Sequence, residues 1–121
     1  MEDRKNKTEE ELKNRLKHID EDRDTLARRT REIWQEEEEE DQRLRKEYQD
    51  SEYMREACTP GDADILQLLD EKQAILNTMR IQKSEFKENY QEEIRKQNLR
   101  MDMDEEDISL QISSLQKQED K

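Results

Sequence analysis

Cys58-Thr59-Pro60-Gly61-Asp62 holds the only proline and the only glycine of a 121-residue chain. Two breakers side by side mark a turn. With no other breaker anywhere, the chain divides into a helix over 8–57, a turn at 58–61 and a second helix over 62–118. Two caps fit the second helix. Thr59 caps it with Pro60 at the first helical position, or Asp62 is itself the cap. Residues 1–7 and 119–121 are read as a flexible start and a tail.

Upstream of the turn, Thr8-Glu9-Glu10-Glu11 has the form of a capping box. Apolar residues then step by fours and threes through Leu12, Leu16, Ile19, Leu26 and Ile33, with Arg23 and Thr30 in the intervening slots. The stripe lapses across Glu36–Asp41 and resumes at Leu44 and Tyr48. Ile33 to Leu44 is an eleven-residue interval, a stutter on a heptad frame. At 1.5 Å per residue this first helix is about 75 Å long.

Downstream, a second seam runs through Ile65, Leu68, Leu69, Ile75, Leu76, Met79, Phe86, Tyr90 and Ile94. It weakens around 101–107 and returns at Ile108, Ile112 and Leu115. Ile108–Ser113 also alternates with period two, but a lone strand would have no partner, so helix is preferred there. The fold class is therefore all-α, a long antiparallel two-helix hairpin of coiled-coil type. Charged residues make up 48% of the chain and hydrophobic residues 28%, too little apolar mass for a thick core. A hairpin this thin is expected to be completed by a homodimer or by a partner helix.

A turn centred near residue 60 pairs residues whose numbers total about 120. Leu44 then meets Leu76, Ile33 and Trp34 meet Phe86, Leu26 meets Ile94, Ile19 meets Met101, and Leu12 meets Ile108. Charge agrees with this pairing. The net charge is -12, concentrated in Glu36–Asp41 and Asp102–Asp107. The first patch faces Arg80 and Lys83; the second faces Lys13, Arg15 and Lys17. Such pairs set register more than stability.

The chemistry of sites is sparse. Consecutive helical carboxylates point around the whole cylinder, so Glu36–Asp41 reads as a solvated face and not as a calcium loop. Cys58 beside a helix start would need a base, and the only histidine, His18, lies far down the first helix. No catalytic residue, metal ligand or cofactor is expected, and no enzyme. No basic patch points to nucleic acid. The acidic patches are too compact to favour an inhibitor that mimics nucleic acid, which stays as one alternative. No apolar run reaches the ~20 residues of a membrane span, and no signal peptide is read at Met1. One unpaired cysteine suits a reducing compartment. The expected surface is a protein interface through Trp34, Leu44, Tyr48, Tyr53, Leu69, Leu76, Phe86 and Tyr90, with Trp34 either core filler or anchor.

The seam, the Cys58–Asp62 turn and the stretch Asp64-Ile65-Leu66-Gln67-Leu68-Leu69-Asp70-Glu71-Lys72 resemble small helical accessory proteins of LXG toxins in Gram-positive type VII secretion, hairpins similar to the WXG secreted proteins. The resemblance implies a cytoplasmic targeting factor or chaperone for the helical N-terminal domain of a toxin. A second small helical protein would join as partner, and the factor would leave with its toxin without a cleaved signal peptide. The turn departs from the family, with Cys58-Thr59-Pro60-Gly61 where W-x-G would stand. Tyr48-Gln49-Asp50-Ser51-Glu52 has the form of the secretion signal but lies on the first helix. The rival reading is a self-assembling coiled-coil scaffold or export-apparatus stalk.

Overall fold

The structure, a computed structural model, describes residues 2–119. It is an all-α hairpin of two long helices packed against each other, α1 (Glu2–Ala57) and α2 (Ala63–Glu119). Residue 1 of the expected flexible start and residues 120–121 of the expected tail lie outside the described residues. α1 begins well before Thr8. The Thr8 hydroxyl donates to the Arg4 carbonyl at 2.9 Å, a back-bond made inside an established helix. The capping-box reading of Thr8–Glu11 is therefore corrected: residues 2–7 contain no breaker, so nothing stops the helix from extending through them.

The turn is a four-residue one. Asp62 N–H donates to the Thr59 carbonyl at 2.9 Å, with Pro60 and Gly61 between. No described residue has a positive φ, Gly61 included, which makes this a type I turn. Leu66 N–H donates to the Asp62 carbonyl at 2.9 Å, so the cap of α2 is Asp62 and not Thr59. Its carboxylate reaches back to Thr59, accepting from the backbone N–H at 2.9 Å and the hydroxyl at 3.1 Å. Asp64 in the first turn of α2 complements the helix dipole.

The helices form two compact units. One is Arg31–Gln91, which contains the turn; the other joins α1 up to Thr30 with α2 from Glu92 onward. In the second of these, Leu12 and Ile108 are buried. Leu16, Ile19, Leu26, Ile94, Met101, Ile112 and Leu115 are half-buried around them. The inward positions Met101, Glu105, Ile108, Ile112 and Leu115 alternate steps of four and three, so 101–118 is helix throughout and the strand alternative is gone. In the turn-containing unit Leu69 and Leu76 are buried, with Leu44, Tyr48 and Leu66 half-buried. Each fully buried aliphatic side chain stabilises by roughly 1.5–3 kcal/mol.

The stutter in α1 is visible in burial. Ile33, Glu37, Asp41 and Leu44 all turn inward, at steps of four, four and three. Polar residues occupy the two extra inward places, and they are held by cations from α2.

The register differs from the expected one. Ring and charge contacts between the helices join residues whose numbers total from 119, for Glu47 and Lys72, to 128, for Arg23 and Glu105. Most exceed 120. Arg23 Nη2 lies 2.6 Å from both Asp102 Oδ1 and Glu105 Oε2. The second acidic patch is thus met by Arg23, not by Lys13, Arg15 and Lys17; Lys13 pairs with Glu9 on its own helix at 3.3 Å. The cause is the lean of helical side chains toward their own N-terminus. In an antiparallel pair, tips that touch belong to backbones offset in the direction that raises both numbers.

Candidate helix-binding face

Within the turn-containing unit, α2 carries apolar doublets: Ile65-Leu66, Leu68-Leu69 and Ile75-Leu76. The second member of each turns toward α1. Leu69 and Leu76 are 6% exposed, whereas Ile65, Leu68 and Ile75 are 43%, 64% and 61% exposed. Met79 and Phe86 extend the open row at 43% and 45%. The open positions 65, 68, 75, 79 and 86 fit a heptad frame, with Lys72 and Gln82 in its two remaining slots. Adjacent residues stand about 100° apart around a helix. α2 therefore bears two parallel seams, one closed by α1 and one open. Among the described residues of the whole chain, eleven large apolar side chains are exposed and four are buried, so the open seam is not an isolated surface leucine.

Charge borders the open seam. Lys72 Nζ lies 2.6 Å from Glu47 Oε2, which fixes the side of α1 that the seam adjoins. On that side α1 presents the row Glu36, Glu40, Arg43, Glu47, Asp50 and Met54, each one residue before an inward position. Along the outer edge of α2 stand Asp64, Glu71 and Glu85, each one residue before an open-seam position and each exposed. None of these three joins an ion pair among the described residues, nor does Glu36 or Asp50.

The acidic run is organised by Lys83. Its ammonium lies 2.9 Å from Glu40 Oε2, 3.2 Å from Glu37 Oε2 and 3.3 Å from Asp41 Oδ1, and it donates to the Glu37 carbonyl at 3.3 Å. Lys87 reaches Asp41 at 2.5 Å. Partial burial alone would lower the Lys83 pKa, but the bonds to Glu40, Glu37 and Asp41 outweigh it and raise it above its ordinary value. The Asp41 carboxyl is held below its ordinary value, chiefly by the Lys87 hydrogen bond and then by Lys83, against its desolvation. Arg80, expected as the second cation here, makes no ion pair among the described residues; Lys87 takes its place.

The eight expected interface residues separate. Trp34 meets Tyr90 edge-on, with centroids 5.6 Å apart and planes at 84°, while Phe86 stacks on Tyr90 at 5.7 Å and 15°. The expected Trp34–Phe86 contact is thus replaced by a three-ring array with Tyr90 in the middle. Tyr48 donates its hydroxyl to Asn77 Oδ1. Leu44 and Tyr48 are half-buried, and Tyr53 is 76% exposed. Leu69 and Leu76 close the inner seam against α1. The open members Ile65, Leu68, Ile75 and Met79 all belong to the expected second seam, and the doublets 68–69 and 75–76 mark a broad apolar face; which member of each doublet faces out depends on the register.

On the opposite border of the same unit, an open groove of about 700 Å³ runs past Glu38, Leu44, Tyr48, Arg80 and Lys87. Arg45 pairs with Glu38 at its rim at 3.2 Å. Cys58 is a free, half-buried thiol in the turn, and His18, in the other unit, is exposed and lies 3.5 Å from Glu21. The described residues hold no group of three His, Cys, Asp or Glu arranged for a metal ion, and no helix among them is long and apolar enough to cross a membrane. No family model, no curated protein and no solved structure matches the chain.

Proposed function

We propose that this chain is a non-enzymatic helical targeting factor or chaperone, which uses the open seam of α2 to hold a helix of another protein. The observation that carries the reading is the second heptad row, Ile65, Leu68, Ile75, Met79 and Phe86, exposed beside the closed one. A row at this spacing is what a helix offers to a neighbouring helix. Following the resemblance in the sequence, the helix belongs to the N-terminal domain of an LXG-type toxin. Binding takes place in the cytoplasm, and the complex is then presented to the type VII apparatus.

Co-expression with such a toxin domain tests this. The domain should become soluble and co-purify with the chain. A domain that stays insoluble or unbound overturns the toxin assignment. The rival scaffold reading expects an assembly of this chain alone; sedimentation showing a homo-oligomer that persists at nanomolar concentration would favour it.

A further inference from the structure

The open seam also carries information about the chemistry of its occupant. We infer that it takes an amphipathic helix of at least six turns whose apolar stripe is bordered by lysines and arginines; the inference rests on the helix-binding reading above.

Length comes first. Ile65 to Phe86 spans about 32 Å of helix at 1.5 Å per residue, so an occupant in contact with every open position needs a helix of comparable length. Polarity comes second. The outer border is Asp64, Glu71 and Glu85. The border on α1 is Glu36, Glu40, Glu47 and Asp50, with Arg43 as its one base. Glu40 and Glu47 are already engaged by Lys83 and Lys72. Glu36, Asp50, Asp64, Glu71 and Glu85 keep their charge for something outside the chain. Flanking charges of one sign select a partner with the opposite sign at its flanking positions, and steer it during encounter.

The same borders argue against a second copy of this chain. A symmetric pairing through the seam places each acidic border against its own image. Like charges facing each other within a Debye length of roughly 10 Å at 0.1 M salt repel. Length, spacing and border charge thus converge on a basic amphipathic helix.

The experiment uses the full chain and three fluorescein-labelled 28-residue peptides. Two share a four-heptad Leu/Ile stripe, one with lysine and one with glutamate at the bordering positions. The third has the lysine peptide's composition with the stripe scrambled. Anisotropy is read at 50 and 500 mM salt. The lysine peptide should bind at least tenfold tighter than either control at low salt and should weaken at high salt. Leu68→Asp, at an exposed position, should reduce that affinity at least tenfold with helicity unchanged by circular dichroism. Glu71→Lys with Glu85→Lys should reduce it about three- to tenfold at 50 mM salt and less at 500 mM. Equal binding of the scrambled peptide would reduce the effect to net charge and overturn the inference. So would equal binding of the glutamate peptide, no binding of any peptide, or self-association abolished by Leu68→Asp. The toxin assignment fails separately. If the lysine peptide binds through Leu68 but the toxin domain does not bind, the seam chemistry stands and the assignment falls. If the toxin domain binds equally well to Leu68→Asp, the assignment stands and the seam inference falls.

Discussion

Lys83 lies 3.2 Å from Glu37 across the closed seam, and each of the two side chains is 13% exposed. This is the most enclosed ion pair among the described residues. It sits where the apolar stripe of α1 is interrupted. Lys83→Met should destabilise the hairpin by about 2 kcal/mol, in the range of hydrogen bonds to charged groups, because it leaves inward carboxylates without their cation. Arg80→Met should change stability by less than about 0.5 kcal/mol. Urea melts of the two variants check the contrast.

Asp41 gives the same cluster a pH signature. Its folded pKa lies below the ordinary 3.8, so its contribution is fully present above that value and is lost as pH falls through the lowered one. Lys83 behaves oppositely. Its folded pKa lies above the ordinary 10.5, so its contribution holds below 10.5 and is lost as pH rises through the raised value. The gap in melting temperature between the wild type and Asp41→Asn should be constant from about pH 5 to 9 and close below the ordinary carboxylate value. A gap that does not narrow at all as pH falls below that value would count against a contribution through charge.

Gly61 tolerates a side chain. Its φ is not positive, and a Cβ there meets only Thr59 Oγ1, at 4.0 Å. Gly61→Ala should stabilise by about 0.4–1 kcal/mol by restricting the unfolded chain. Thermal denaturation reads this directly, and a loss of stability would contradict the type I geometry.

Ile108 and Leu110 are two residues apart on α2, with exposures of 1% and 63%. Ile108→Ala should cost about 2–4 kcal/mol, and Leu110→Ala less than about 0.5 kcal/mol. Equal costs would mean that the inward face of α2 is misassigned in this unit.

Much of the fold was legible because its signals are local. One Pro-Gly pair marked the turn, and helical spacing on either side marked the helices. The pairing of Lys83 with the acidic run was legible too, because its residue numbers fall close to the simple mirror about the turn. Arg23 against Asp102, Trp34 against Tyr90, and the outward member of each doublet were not. All three depend on side-chain lean and on which face closes, and neither is a local property. The start of α1 was missed for another reason. Thr8-Glu9-Glu10-Glu11 has the letters of a cap, but a cap needs a break before it, and Glu2–Lys7 supplies none.

The turn also sets the order in which contacts can form. Arg55 bonded to Gln73 closes a loop of 18 residues; Glu9 bonded to Gln116 closes one of 107. The difference in closure entropy is roughly 1.6 kcal/mol, which favours contacts near Pro60 and Gly61 forming first. Amide exchange should be slowest near Leu69 and Leu76 and should quicken away from the turn. During synthesis the whole of α1 is made before Leu69 exists. For that interval the α2 residues that close its seam have not yet been made.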